Sequence, residues 1–146
     1  MTNSVIESGR ESRPGLHDET VDVGTVVGEL LDHLHGGLDG ASADTYDDMF
    51  ADDILWGTPK GRVLQGFAPL NAIHRQMMPA KVAPESRFEV AQAIAPAPGV
   101  VVAQVGRHAI DGGFSEMAMY VLIERAGRWW VAGAQNTPIV DTLPTR

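Results

Sequence analysis

His74 is the residue in this 146-residue chain best placed to do chemistry. In the segment FAPLNAIHRQMM, the residues Phe67, Leu70, Ile73, His74, Met77 and Met78 recur at the three- and four-residue spacing that gathers side chains on one helix face. An imidazole within that apolar stripe is directed at a core rather than at water. Its reference pKa of about 6.5 lets it exchange protons near neutrality, so the position suits a general acid or base. A satisfied core histidine has the same pattern, and both readings stay open.

The stretch RWWVAGAQNTPIV, residues 128–140, raises a second question of chemistry. An apolar run suited to a buried strand passes into Gln135, Asn136 and Thr137, and a buried amide without a partner costs about 1–3 kcal/mol. Strand alternation puts Trp129, Val131, Gly133, Gln135 and Thr137 on one face, with Trp130, Ala132, Ala134 and Asn136 on the other. The adjacent tryptophans must therefore split, and the outward one suggests a subunit interface, with Tyr120 or Leu122 beside it. Arg107 and His108 likewise face opposite sides of a sheet, so one of them looks inward. Exposure is the simpler reading of Glu116. Met77, Met78, Met117 and Met119 suit either core filling or a pocket for a flexible apolar ligand.

Other chemistries find little support. His33 and His35 point apart on a helix, which argues against shared metal ligation. The pairs Asp47-Asp48 and Asp52-Asp53 lack the spacing of a calcium loop and read as helix-end solvation and a turn. No metal is expected. A chain without cysteine has no disulfide and no thiolate nucleophile.

These residues need a scaffold. The positions Val23, Val26, Val27, Leu30, Leu31, Leu34 and Leu38 define a first helix ended by Gly36, Gly37 and Gly40. Ser42 or Asp44 caps a short second helix reaching about Phe50. ILWGTPKGRVLQG reads as a hairpin around Pro59-Lys60-Gly61, and the His74 helix follows until Pro79 stops it. From Arg87 onward, four strand-like runs are separated by turns at Pro96-Ala97-Pro98-Gly99, Asp111-Gly112-Gly113 and Ala126-Gly127. The order gives an α+β fold with three helices on one face of a curved antiparallel sheet. Residues 1–18, polar and rich in charge, read as a flexible tail before a single domain spanning 19–146.

Net charge is −8, and thirteen of the nineteen acids fall within residues 1–53, so nucleic acid and anionic membranes are poor partners. No apolar run is long enough to span a bilayer, and the start MTNSVIESGRESRPG lacks the features of a signal peptide. A cytoplasmic protein is expected.

The run DTYDDMFADDILWGTPKGRVLQGFAPLNAIH resembles the entry segment of the nuclear transport factor 2-like, or SnoaL-like, cone-shaped folds. The ending VLIERAGRWWVAGAQNTPIV is similar to the close of the SgcJ/EcaC branch, associated with enediyne antibiotic biosynthesis. The resemblance covers about residues 20–140. It implies a cone whose apolar pocket lies between the sheet and the helices on its concave side, and often a homodimer. The superfamily includes isomerases, dehydratases, cyclases and non-catalytic binders, so one reaction is not implied. Laid beside the ketosteroid isomerase pattern, the proton-shuttling Asp-Pro falls on Thr58-Pro59 and the oxyanion tyrosine falls near Leu34, which disfavours steroid-type isomerisation. No Gly-rich dinucleotide turn is present, and no cofactor is expected.

The resemblance favours the Trp129 set as inward. The expected site is then His74 as proton-transfer residue, with Gln135, Trp56, Tyr120, Met77, Met117 and Arg107 around the substrate. The expected function is cofactor-independent cyclisation, dehydration or isomerisation of a polyketide- or enediyne-type intermediate. The alternative is non-catalytic binding of a reactive polyene.

Overall fold

The computed structural model describes residues 12–140. Three helices and six strands follow in the order α1 (Val23–Asp39), α2 (Ala43–Tyr46), β1 (Phe50–Gly57), β2 (Val63–Gln65), α3 (Phe67–Met77), β3 (Ser86–Ala97), β4 (Val100–Ala109), β5 (Glu116–Arg125) and β6 (Arg128–Pro138). Residues 1–11 of the expected tail lie outside the described residues. Within the rest of it, the Asp18 amide already donates to the Ala95 carbonyl at 2.8 Å, so the chain is tied to β3 just before the expected boundary.

The first helix forms as its spacing dictates. Val26, Val27, Leu30 and Leu34 are buried on one face, each such side chain contributing about 1.5–3 kcal/mol. Asp22 caps the N-terminus by accepting from the Thr25 amide at 3.2 Å. The helix does not end at Gly36 and Gly37. It continues to Asp39, with Gly40 as its cap, and Gly37 serves a different purpose. A Cβ there would lie 2.5 Å from the backbone of Tyr46. The glycine thus lets α2 close onto α1, and that approach fixes Tyr46 and Asp47. Ser42 caps α2 as expected, but the helix stops at Tyr46 and Phe50 already begins a strand.

The sheet order is β2-β1-β6-β5-β4-β3. Neighbouring strands are antiparallel except for β1 and β6, which are parallel. The curved, unclosed sheet with three helices is the expected α+β cone, carrying this one parallel pairing. The β1–β2 hairpin forms with Trp56 opposite Leu64, its turn closed by the Thr58 amide donating to the Arg62 carbonyl. Gly66 caps α3 at φ 103°, a conformation that other residues rarely adopt. The core lies between helices and sheet, where Leu30, Leu34 and Leu70 meet Ile54, Tyr120 and Leu122.

Inward positions alternate along β4 and β5: Val101, Ala103, Val105 and Arg107 on one, Ala118, Tyr120 and Leu122 on the other. Along β6 the alternation breaks. Val131 pairs with Leu122 and Gly133 with Val121, leaving Ala132 as an inserted residue. Before this bulge Val131 is buried and Trp129 packs on the core; after it, Ala134 and Asn136 take the inner face. Trp130 lies on the outer face under the Arg128 guanidinium, 4.0 Å from its ring centroid, paired with Ile123 rather than Tyr120 or Leu122.

Candidate active site

A chamber of about 200 Å³ opens between α3, the β1–β2 hairpin and the inner sheet face. Its apolar wall includes Leu38, Leu64, Leu70, Ile73, Met77 and Met78. Into it reach six polar or aromatic groups that matter chemically: Tyr46, Trp56, His74, Arg107, Glu116 and Asn136. Outward, it shares Leu38, Met78, Lys81 and Ala83 with a groove of about 500 Å³.

His74 is directed inward, as its stripe requires, and is 8% exposed. Its Nδ1 lies 2.7 Å from Oδ1 of Asp47, a residue with no exposed surface. The second Asp47 oxygen accepts from the Asn71 amide at 3.0 Å. A carboxylate only accepts, so Nδ1 carries a proton, and in the neutral ring the lone pair is then the one on Nε2. Among the described residues nothing hydrogen-bonds to Nε2. The rings of Tyr46, Phe50 and Trp56 surround the imidazole edge to face, with centroids 5.4, 6.4 and 5.6 Å away. Spacing explains the pairing: Asn71 and His74 are three residues apart on α3 and so reach one carboxylate together.

Beside the dyad, burial pushes the Tyr46 phenol well above its ordinary range, and the nearby Glu116 charge adds to this. Tyr120 is raised in the same way, by burial first, with the neighbouring Tyr46 phenol adding to the rise. Both therefore remain protonated. Tyr46 is a donor for an oxygen in the chamber, and Tyr120 stands behind it as support.

At the other end, Arg107 is 5% exposed and each of its three nitrogens has a partner. Nε donates to Glu116 Oε1 at 3.2 Å, Nη1 to the Ser86 hydroxyl at 2.6 Å and Nη2 to the Phe114 carbonyl at 3.0 Å. The Phe114 ring covers the guanidinium at 4.6 Å.

The structure brings together His74, Trp56, Met77 and Arg107 on the chamber wall. It sends His108 outward, toward Glu89. Two expected residues are placed elsewhere. Gln135 is on the outer face, because the bulge at Ala132 reverses the alternation; it lies across Gly57 and donates to the carbonyls of Thr58 and Asn136. Met117 is also outward, since Glu116, Ala118 and Tyr120 hold the inner register of β5. Tyr120 faces in but is buried behind the chamber wall.

Sequence reasoning missed Asp47, Tyr46, Asn71, Glu116 and Asn136. The expected solvation of the Asp47-Asp48 pair holds for Asp48 alone, which meets Arg128 at 3.3 Å and His33 at 3.6 Å, whereas Asp47 is fully buried. A signal was available in α3, where a polar Asn71 one turn before His74 disrupts the apolar stripe and asks for a buried partner. Thr58 and Pro59 line the chamber, but the Thr58 hydroxyl accepts from the Arg62 amide and serves the turn.

Among the described residues no cluster of three or more metal-ligating side chains occurs, and no helix is long and apolar enough to cross a membrane. No protein-family model and no curated protein matches the chain. Solved structures do. A ketosteroid isomerase-like protein from Erwinia carotovora atroseptica superposes with a TM-score of 0.69 at 12% identity, covering 82% of this chain and 98% of that one. A nuclear transport factor 2-like protein from Shewanella baltica gives 0.61 at 16%, covering 80% and 94%. A protein with a cystatin-like fold from Caulobacter vibrioides gives 0.67 at 16%, covering 82% and 92%. The chain has the nuclear transport factor 2-like cone fold. At these identities the likeness shows the fold alone.

Proposed function

We propose that the chamber performs cofactor-independent acid–base chemistry on a largely apolar small molecule: a cyclisation, dehydration or isomerisation. His74 is the proton-transfer residue. The observation that carries this reading is the buried Asp47–His74 pair, which leaves Nε2 as an unpartnered base on the wall of an apolar cavity. Asp47 holds the tautomer and stabilises the imidazolium formed when Nε2 takes a proton from the substrate. Tyr46, kept neutral by burial, donates to the oxygen that gains charge, and the imidazolium then returns the proton to a second position. In an isomerisation that position is another substrate carbon, in a dehydration it is the departing hydroxyl, which leaves as water, and in an aldol-type cyclisation it is the alkoxide left when the carbanion adds to a second carbonyl; each returns the protein unchanged without a redox partner. Trp56 and Met77 shape the cavity around the substrate. The resemblance of the C-terminal segment makes a polyketide-derived, enediyne-pathway intermediate our choice of substrate source, and a cytoplasmic homodimer joined through the outer sheet face our choice of assembly.

The test is hydrogen exchange into a neutral ketone. The protein accelerates incorporation of solvent deuterium next to the carbonyl of acetophenone-type probes, followed by NMR. His74→Gln keeps polarity and approximate size and lowers that rate at least about tenfold. A wild-type protein that binds the probe but leaves exchange unchanged supports the non-catalytic binding of a reactive polyene instead. Exposed Leu55, Val63 and Met119 on the outer face, with Trp130, favour the dimer. Light scattering at tens of micromolar protein reads twice the 15.6 kDa chain mass, and a monomer there rejects it.

A further inference from the structure

Asn136 is 8% exposed and lines the chamber. Its side-chain amide has one satisfied bond, Nδ2 donating to the Gly57 carbonyl at 2.9 Å. The second N–H and the Oδ1 acceptor have no partner among the described residues. A buried amide left half-satisfied is costly in an empty protein and useful in a loaded one, because a ligand hydroxyl can accept from the free N–H and donate to Oδ1. The bulge at Ala132 is what turns this amide inward, which makes the recognition group a product of backbone register rather than of the residue run alone.

Charge and size narrow the ligand further. The buried cation, Arg107, is already neutralised by Glu116 and further engaged by Ser86 and the Phe114 carbonyl. Asp47 adds a negative charge beside the chamber. A carboxylate entering here would meet the buried Asp47 and the partly buried Glu116, while the lining cation without an ion pair, Lys81, is exposed at the outer rim, so an uncharged ligand is favoured inside. An apolar cavity of about 150 Å³ holds benzene. The chamber, at about 200 Å³, therefore takes one ring with a few substituent atoms, and any longer tail must lie in the adjoining groove past Met78 and Lys81.

We propose that Asn136 is the specificity-determining contact, reading a hydroxyl on a neutral, ring-sized hydroxy-carbonyl segment of the substrate. This rests on the chamber being a ligand site, as above, but not on His74 transferring a proton.

Three probes of matched size test it in calorimetric or ligand-observed NMR titrations: meta-hydroxyacetophenone, acetophenone and meta-hydroxybenzoate. The hydroxy ketone binds roughly tenfold more tightly than acetophenone, the effect of satisfying an otherwise unpaired buried group. The benzoate binds at least tenfold more weakly than the hydroxy ketone. In Asn136→Leu, checked for folding by its melting curve, acetophenone binding stays within about twofold while the advantage of the hydroxyl disappears. If that variant fails to fold, the three wild-type titrations still decide. Binding of the benzoate as tight as that of the ketones, equal binding of the two ketones, retention of the hydroxyl preference in the leucine variant, or no saturable binding of any probe overturns the proposal. His74→Gln separates the two claims: it loses exchange yet keeps the hydroxyl preference. Loss of the preference in that variant would contradict the assignment to Asn136.

Discussion

At one end of the chamber a buried carboxylate meets an imidazole; at the other, a carboxylate meets a guanidinium. The Asp47–His74 pair uses one ring nitrogen and leaves the second, because an imidazole has two distinct sites. The Arg107–Glu116 pair leaves little, because the guanidinium's donors are divided among a carboxylate, a hydroxyl and a backbone carbonyl. Both pairs cost desolvation, and each is tolerated only with its partner in place. The difference teaches where reactivity sits in a buried polar site: in the group with an unspent valence, not in the group with the larger charge.

The contrast can be broken by removing one member of each pair. Arg107→Ala strips Glu116 and Ser86 of their donors and lowers stability by about 3–5 kcal/mol, which for a domain of this size moves the thermal midpoint down by roughly 10 °C or more. His74→Gln retains a donor for Asp47 and lowers the midpoint by only a few degrees, roughly 1 kcal/mol, while exchange activity falls. A scan in which His74→Gln melts earlier than Arg107→Ala would reverse the assignment of structural and reactive ends.

The same contrast separates what was legible in the sequence from what was not. The stripe on α3 put His74 inward because helical spacing is a local property, and the stripe on α1 gave that helix for the same reason. Asp47 was illegible because its burial is decided at long range, by Gly37 admitting the turn after α2 and by Asn71 and His74 arriving from α3. Gln135 and Asn136 are a sharper case. Two-residue alternation is reliable until a bulge inserts a residue, and the one local sign of it was Gly133, a glycine inside a strand, which does not say on which side the extra residue falls. A single-residue slip exchanged the exposed amide for the buried one. Trp129 and Trp130, which precede the bulge, split as the alternation required.

The smallest expected effect sharpens the comparison at the level of a solvent-facing carboxylate that shares a partner with the dyad. Asp44 caps nothing itself, yet it accepts from the Asn71 amide at 3.2 Å and from Arg75 at 2.9–3.1 Å, linking α2 to α3 just outside the Asp47–His74 pair. The Asn71 hydrogen bond first, and the Arg75 hydrogen bond second, hold its pKa below the ordinary value of 3.8. A depressed pKa means that the unfolded chain takes up the proton first. The stability that Asp44 contributes is thus complete above the ordinary value and is lost as pH falls through the folded one. In Asp44→Asn this dependence is absent. Its melting temperature therefore falls less than that of the wild type as pH drops from about 5 to about 3, and the difference shrinks in high salt because the Arg75 contact is exposed. Exchange into the ketone probe changes by less than about twofold near neutral pH, since Asp47 keeps its own bonds to Asn71 and His74. Parallel acid limbs for the two proteins would show that Asp44 is not linked to folding, and a large loss of exchange would show that the dyad depends on the surface carboxylate beside it.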